Sequence, residues 1–301
     1  MFRSDFSFIC SPKIFWVSRK MKTALELFFR IFIENKKMKK ISLISLFMSF
    51  IFSVSVFAAS PSEVGIILLH GKGAKPELNK YERLDDDLSS EGYSVVVPRM
   101  PWAGHKGKAE YGASLNDAFS IIEKEVTNYR NQGKTKIVLV GHSMGVSGAL
   151  AYTKHRGGID GVIGVAPGHL PGSDKFHLKK VMSDVRKARK MKAEGKGEET
   201  LEVTDYNSGK RSFTMTVVAN DYLSFFDPEG PMNVDENIKG LGDVPFLWVA
   251  PIHDFVTKKK AGKYFSMAPY NSKTKLVKID AGHKMAPPKA FGEIHKWITE
   301  L

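Results

Sequence analysis

Lys136-Ile137-Val138-Leu139-Val140-Gly141-His142-Ser143-Met144-Gly145 decides how this chain is read. A β-branched apolar run stops at Gly141, and a run of small residues over 145–155 takes up a helical pattern just beyond Ser143. A strand that turns sharply into a helix lifts the intervening serine to the edge of a sheet, exposed to solvent and to a base. The flanking glycines have a physical role, because side chains at 141 and 145 would collide with neighbouring elements in so tight a turn. A plain glycine-rich loop can carry the same string, so the rest of the chain has to supply the partners.

From Val64 onward, short buried runs alternate with helical patterns, the sequence form of a mostly parallel α/β sheet flanked by helices. Strands are expected at 65–70, 93–97, 136–140, 161–165, 244–249 and 274–279, and helices at 79–91, 111–129, 145–155 and 287–301. The rhythm breaks at about 169–240. There Leu178, Val181, Met182, Val185, Ala188 and Met191 share one helical face, surrounded by Lys179, Lys180, Arg186, Lys187, Arg189 and Lys190. The stretch 201–218 follows, with a turn at Ser208-Gly209 and a strand-like run at 213–218. This insertion reads as a cap over the mouth of the sheet. Its basic face reads as a solvated surface, with attraction to anionic lipid or cell-wall polymer as the sharper alternative.

The partners of a nucleophilic serine are present. His70-Gly71-Lys72-Gly73 directly follows the first strand. Acyl transfer creates an oxyanion that needs main-chain N–H donors. Met144, after the serine, supplies one, and Lys72, with Gly71 as the next choice, supplies the other. A base is expected near the C-terminus, and His283, at a Gly-His turn ending a strand, is preferred over His142, His155, His169, His177 and His295. Asp254, across a short loop from the strand at 244–249, is the expected orienting acid, with Asp227, Asp221 and Asp243 as alternatives. Asp280 lies too close to His283 in sequence. His70 and Trp102, in loops near the mouth, are expected to touch substrate, although a loop tryptophan packs on a core as readily. The stretch 222–228 reads either as an apolar wall under the cap or as the cap's own core.

With these residues in place, the chain resembles the α/β-hydrolase superfamily, serine esterases and lipases in particular, from about Val64 to Leu301. The resemblance puts Ser143, Asp254 and His283 on the catalytic-triad positions and implies an eight-stranded, mostly parallel sheet with a cap after the sixth strand. It also implies carboxylic ester cleavage through an acyl-enzyme and no cofactor or metal. The first two strands of the full sheet have no counterpart here. A non-catalytic binder of lipid or cell-wall fragments on the same fold, or an amidase or thioesterase, is the alternative.

The totals agree with an enzyme of this kind. The formal charge of +13 falls unevenly, since residues 1–58 hold ten Lys/Arg against three Asp/Glu, leaving 35 against 29 for the body. That residual +6 and the lack of a recognition module disfavour nucleic acid. No G-x-G-x-x-G follows a strand, which disfavours a dinucleotide enzyme. Cys10 is the only cysteine, so the body offers neither disulfides nor a thiol nucleophile. Met38-Lys39-Lys40, the apolar run from Ile41 to Phe57 and Val56-Phe57-Ala58 form the three parts of a signal peptide over 38–58, cut before Ala59. The run is shorter than the roughly 20 residues of a spanning helix, so the protein is expected to be secreted or periplasmic, touching membrane only through the leader before cleavage. Residues 1–37 read as translation upstream of a true start at Met38, or as an amphipathic surface segment around Leu25–Ile33. The expected partner is a small-molecule or lipid-like ester.

Overall fold

The computed structural model describes residues 60–76, 83–172, 175–206, 212–254 and 260–301, with side chains omitted at 175–178. The chain divides into units 1–57 and 58–301, and every described element belongs to the second. The leader readings, the Ser208-Gly209 turn, the start of the 79–91 helix and the side chains of His177 and Leu178 lie outside the described residues.

The elements run β1 (Val64–Leu69), α1 (Leu84–Ser90), β2 (Ser94–Val96), the short pair β3 (Gly104–His105) and β4 (Lys108–Ala109), α2 (Leu115–Asn131), β5 (Lys136–His142), α3 (Met144–His155) and β6 (Gly161–Val165). The insertion follows: α4 (Lys175–Ala193), β7 (Thr200–Tyr206), β8 (Ser212–Val218), α5 (Ala219–Phe226) and α6 (Val234–Lys239). The chain then returns through β9 (Phe246–Pro251), α7 (Ala261–Phe265), β10 (Lys275–Ile279) and α8 (Ala286–Ile298).

The central sheet has six strands in the order β10-β9-β6-β5-β1-β2, and all five pairings are parallel. The expected mostly parallel sheet flanked by helices is observed, and the six strands among the described residues match the implied eight without the two that have no counterpart in the sequence. Parallel strands are covered on both faces, which is why their sequences are continuous apolar runs and not alternating ones. In β1 every residue is buried. Ile67 and Leu69 join the core beneath α2 and α3, whereas Ile66 and Leu68 join the opposite core with α1 and α8. Helix α2 starts at Leu115, four residues later than the expected 111, because Ser114 and Asp117 form a capping box that fixes its first turn.

The insertion packs as part of the first core. Val181, Val185 and Ala188 of α4 are buried with Val203, Met215 and Val217 of the antiparallel β7–β8 hairpin. Arg189 of α4 donates through Nε and Nη2 to both carboxylate oxygens of Asp227, just after α5. Burial pushes the Asp227 carboxyl up, but the Arg189 bonds outweigh it and hold the group below its ordinary 3.8. A depressed carboxyl contributes stability that is present above its unfolded value and is lost as pH falls through the folded one. Asp227→Asn should therefore melt lower than wild type at neutral pH. The gap should close below about pH 4, as followed by thermal unfolding across pH.

Candidate active site

The chemistry sits where β5 passes into α3. Ser143 has φ 54° and ψ −116°, a backbone conformation that side chains rarely adopt and that costs of order 1–3 kcal/mol. The surroundings force it. A Cβ on Gly141 would lie 2.5 Å from the Gly145 carbonyl, and one on Gly145 would lie 2.0 Å from the carbonyl oxygen of Leu69. Strand and helix can approach this closely only without side chains. Three main-chain bonds then pin the turn: Ser143 N–H to Val165 O at 3.1 Å, Gly168 N–H to Ser143 O at 3.1 Å, and Val146 N–H to Ser143 O at 3.2 Å.

The structure brings Ser143, His283 and Asp254 into one chain of hydrogen bonds. His283 Nε2 lies 2.9 Å from Ser143 Oγ, and its Nδ1 lies 2.8 Å from Asp254 Oδ2. A carboxylate only accepts, so Nδ1 carries the proton and Nε2 is left to accept from the serine hydroxyl. The Asp254 side chain is fully buried, and that of His283 is about a quarter exposed at 26%. His283 thus faces solvent on one side and a fixed acid on the other. Among the alternative acids, Asp227 is held by Arg189, Asp280 takes the His253 ring at 2.7 Å on the surface, Asp221 lies in α5, and Asp243 precedes β9. Of the rival histidines, His155 ends α3 and His295 lies in α8 against Tyr93.

The two expected oxyanion donors are also at hand. Met144 opens α3, so its N–H is one of the helix's unsatisfied first-turn donors. Neither its amide nor that of Lys72 makes a hydrogen bond among the described residues. The loop after β1 runs alongside the serine, since a Cβ on Gly71 would sit 3.3 Å from Ser143 Cβ. Among the described residues, no group of three or more His, Cys, Asp or Glu could hold a metal ion.

His70 and Trp102, expected at the substrate, are placed elsewhere. Both are fully buried. His70 Nε2 accepts the Met100 N–H at 3.1 Å, and the Trp102 indole N–H donates to the His70 carbonyl at 2.8 Å. The far edge of the same indole covers Gly148, where a Cβ would come within 2.6 Å of it. The pair locks the loop after β2 onto the end of β1 and offers no surface to a ligand. The stretch 222–228 resolves as core: Phe225 and Phe226 are buried against Tyr111. One neighbour of the serine escaped the sequence, and a second has a role that was not read from it. Gly168 lies so close that a Cβ would be 2.7 Å from Ser143 Oγ, and its Pro-Gly setting after an apolar strand was the available signal. His142, weighed only as a rival base, lies tilted against the His283 ring, 5.3 Å between centroids, and its Nε2–H donates to the His283 carbonyl at 3.1 Å.

A parallel sheet in this strand order, carrying a serine on a strained strand–helix turn at its C-terminal edge, defines an α/β-hydrolase architecture. The chain has the α/β-hydrolase fold, and residues 61–210 match the family model described as serine aminopeptidase, S33. No curated protein matches the chain in sequence. Among solved structures, it is similar to one from work on LipS and LipT, two metagenome-derived lipolytic enzymes, at 13% identity and TM-score 0.56, covering 80% of this chain and 95% of that one. It is also similar to a soluble variant of monoglyceride lipase from Saccharomyces cerevisiae, at 19% identity and TM-score 0.54, covering 81% and 88%. DcsB, solved with its substrate analogue, aligns at 16% identity and TM-score 0.56, covering 78% and 90%. At these identities the likeness is one of fold.

The packing makes a sharp prediction. Gly145→Ala should destabilise the protein by at least about 2 kcal/mol, because its Cβ meets backbone. Gly112→Ala, at an open position, should change stability by less than about 0.5 kcal/mol. Urea unfolding of both variants beside wild type measures the difference.

Proposed function

We propose that this protein is an exported serine hydrolase that cleaves carboxylic esters through an acyl-enzyme intermediate. The observation that carries the reading is the continuous chain from Ser143 Oγ through the His283 imidazole to the buried Asp254 carboxylate. A binder that had merely kept the fold would have no reason to retain all three in hydrogen-bond register.

In the first step His283 Nε2 takes the hydroxyl proton as Ser143 Oγ attacks the ester carbonyl carbon. The carbonyl oxygen becomes an oxyanion held by the main-chain amides of Lys72 and Met144. Asp254 keeps the ring in the tautomer that can accept and stabilises the imidazolium that forms. His283 then gives the proton to the leaving alcohol as the carbon–oxygen bond breaks. In the second step the same imidazole deprotonates a water that attacks the acyl-enzyme, and Ser143 regains its proton. Desolvation strengthens the Asp254–imidazolium attraction, because the acid is fully buried.

The ester class comes from fold neighbours described as lipolytic enzymes and a monoglyceride lipase, and so rests on analogy of fold. The family model is described as an aminopeptidase, which makes amide cleavage the reading to test against it. Export rests on the signal-peptide pattern of 38–58, and the mature N-terminus is expected at Ala59, readable by N-terminal sequencing of exported protein.

Purified protein should hydrolyse nitrophenyl esters in preference to matched nitroanilides and thioesters, with the chain-length profile separating esterase from lipase. Ser143→Ala and His283→Ala should each lower kcat by about 10⁴-fold or more, with KM little changed. Wild-type rates in Ser143→Ala would overturn the assignment, and faster anilide than ester turnover would replace the ester reading with an amidase one.

A further inference from the structure

The insertion grips the loop after β1 at one place. The Lys72 ammonium donates to Asp205 Oδ1 at 2.8 Å and to the Tyr206 carbonyl at 2.8 Å, both at the end of β7. The pair is buried, with side-chain exposures of 12% for Lys72 and 1% for Asp205. Asp205 Oδ2 has no hydrogen-bond partner among the described residues. Lys72 is therefore, among the described residues, the ion-pair partner of a carboxylate sealed in the cap. A buried ion pair rarely stabilises a fold more than apolar side chains of equal volume, because both charges have lost their water. What such a pair does well is fix register, since a misplaced partner leaves a bare charge in a dry site.

The register fixed here is that of residue 72. Its main-chain amide is one of the two N–H groups assigned to the oxyanion. The other belongs to Met144, and it too is held from the cap side. The Tyr111 hydroxyl donates to Met144 Sδ at 3.7 Å, while the Tyr111 ring packs on Phe225 and Phe226 of α5. Burial, then the negative charge of Asp205, pushes the Tyr111 hydroxyl well above its ordinary range, so it remains a neutral donor. The Lys72 side chain is thus fastened to the cap directly, and that of Met144 is linked to it through Tyr111.

We propose that Asp205 is a positioning residue, which sets the Lys72 amide through the buried ion pair so that the oxyanion site is complete only when the β7–β8 hairpin is seated. This inference rests on the serine-hydrolase reading and deepens it. The cap becomes part of the catalytic apparatus, because lifting the hairpin would release the loop that carries one of the two donors. The ammonium itself is occupied by Asp205 and the Tyr206 carbonyl and makes its contribution through position.

The test uses Lys72→Met, Asp205→Asn and the double variant Lys72→Met/Asp205→Leu, each assayed on nitrophenyl butyrate and with a trifluoromethyl ketone. The ketone adds to the serine and forms an oxyanion on the same amides, so it reports on their placement without turnover. Each variant should lose about ten- to a hundredfold in kcat, with KM within about twofold of wild type. The ketone inhibition constant should rise by a similar factor. The double variant should be no worse than either single one, because both act through one contact. Lone substitution strands a buried charge and can unfold the protein, whereas the double variant removes both charges and is expected to melt near wild type. A folded double variant with wild-type kcat and ketone affinity, or with a raised KM alone, would reduce the pair to a cap fastener and overturn the inference. Absence of Ser143-dependent turnover in the wild type would instead remove the serine-hydrolase reading itself, and this inference with it.

Discussion

Everything at the candidate site depends on the contact between the backbone of α3 and the end of β1. Gly145 lies against the Leu69 carbonyl with no room for a methyl group, and Gly141 lies against Gly145. That approach bends the chain at Ser143 into a positive-φ conformation, and the bend projects the hydroxyl away from both the strand and the helix. The strain is local, while the bonds from Val165 and Gly168 that resist it come from a neighbouring strand and its following loop. A serine on a relaxed loop could rotate away from its base. Here the backbone leaves it one direction.

Sheet register does the rest. Leu69 pairs with Gly141, and Gly141 with Gly164, so the ends of three adjacent parallel strands finish at one level. The loops that leave them converge on the serine: 70–73 from β1, the turn itself from β5, and 166–169 from β6. The acid and base arrive from the next two strands outward, Asp254 after β9 and His283 after β10. Ligand chemistry at the carboxyl edge of a parallel sheet follows from this convergence. The main-chain bonds Ile252 N–H to Ile279 O and His253 N–H to Ala281 O tie the two outer loops together, which keeps Asp254 opposite the ring it serves.

How far the sequence could be read depended on the range of the interactions involved. The strands were legible because a sheet covered on both faces needs unbroken apolar runs, as at 64–69 and 136–140. Ser143, Asp254 and His283 were legible as positions because each follows a strand end in a fixed chain order, and the structure places their side chains together. His70 and Trp102 were misplaced at the mouth because their burial is set by each other and by Gly148, partners far apart in sequence. A loop tryptophan looks the same in sequence whether it faces a ligand or a helix. The strand count was legible too, since the superfamily's eight strands less the two without a counterpart in the sequence leave the six that the described residues form. The Lys72–Asp205 contact joins residues 133 positions apart, and nothing local marks either residue as a partner of the other.

The proposed mechanism needs one hydroxyl, at position 143, to be activated as a nucleophile by the ring at 283. Reaction with a fluorophosphonate, followed by peptide mass mapping, tests it most directly, because the reagent phosphonylates only an activated serine. A single adduct is expected, on the peptide carrying Ser143, lost in Ser143→Ala and greatly slowed in His283→Ala. A stoichiometric adduct on any other serine, or equal labelling with and without the imidazole, would contradict it.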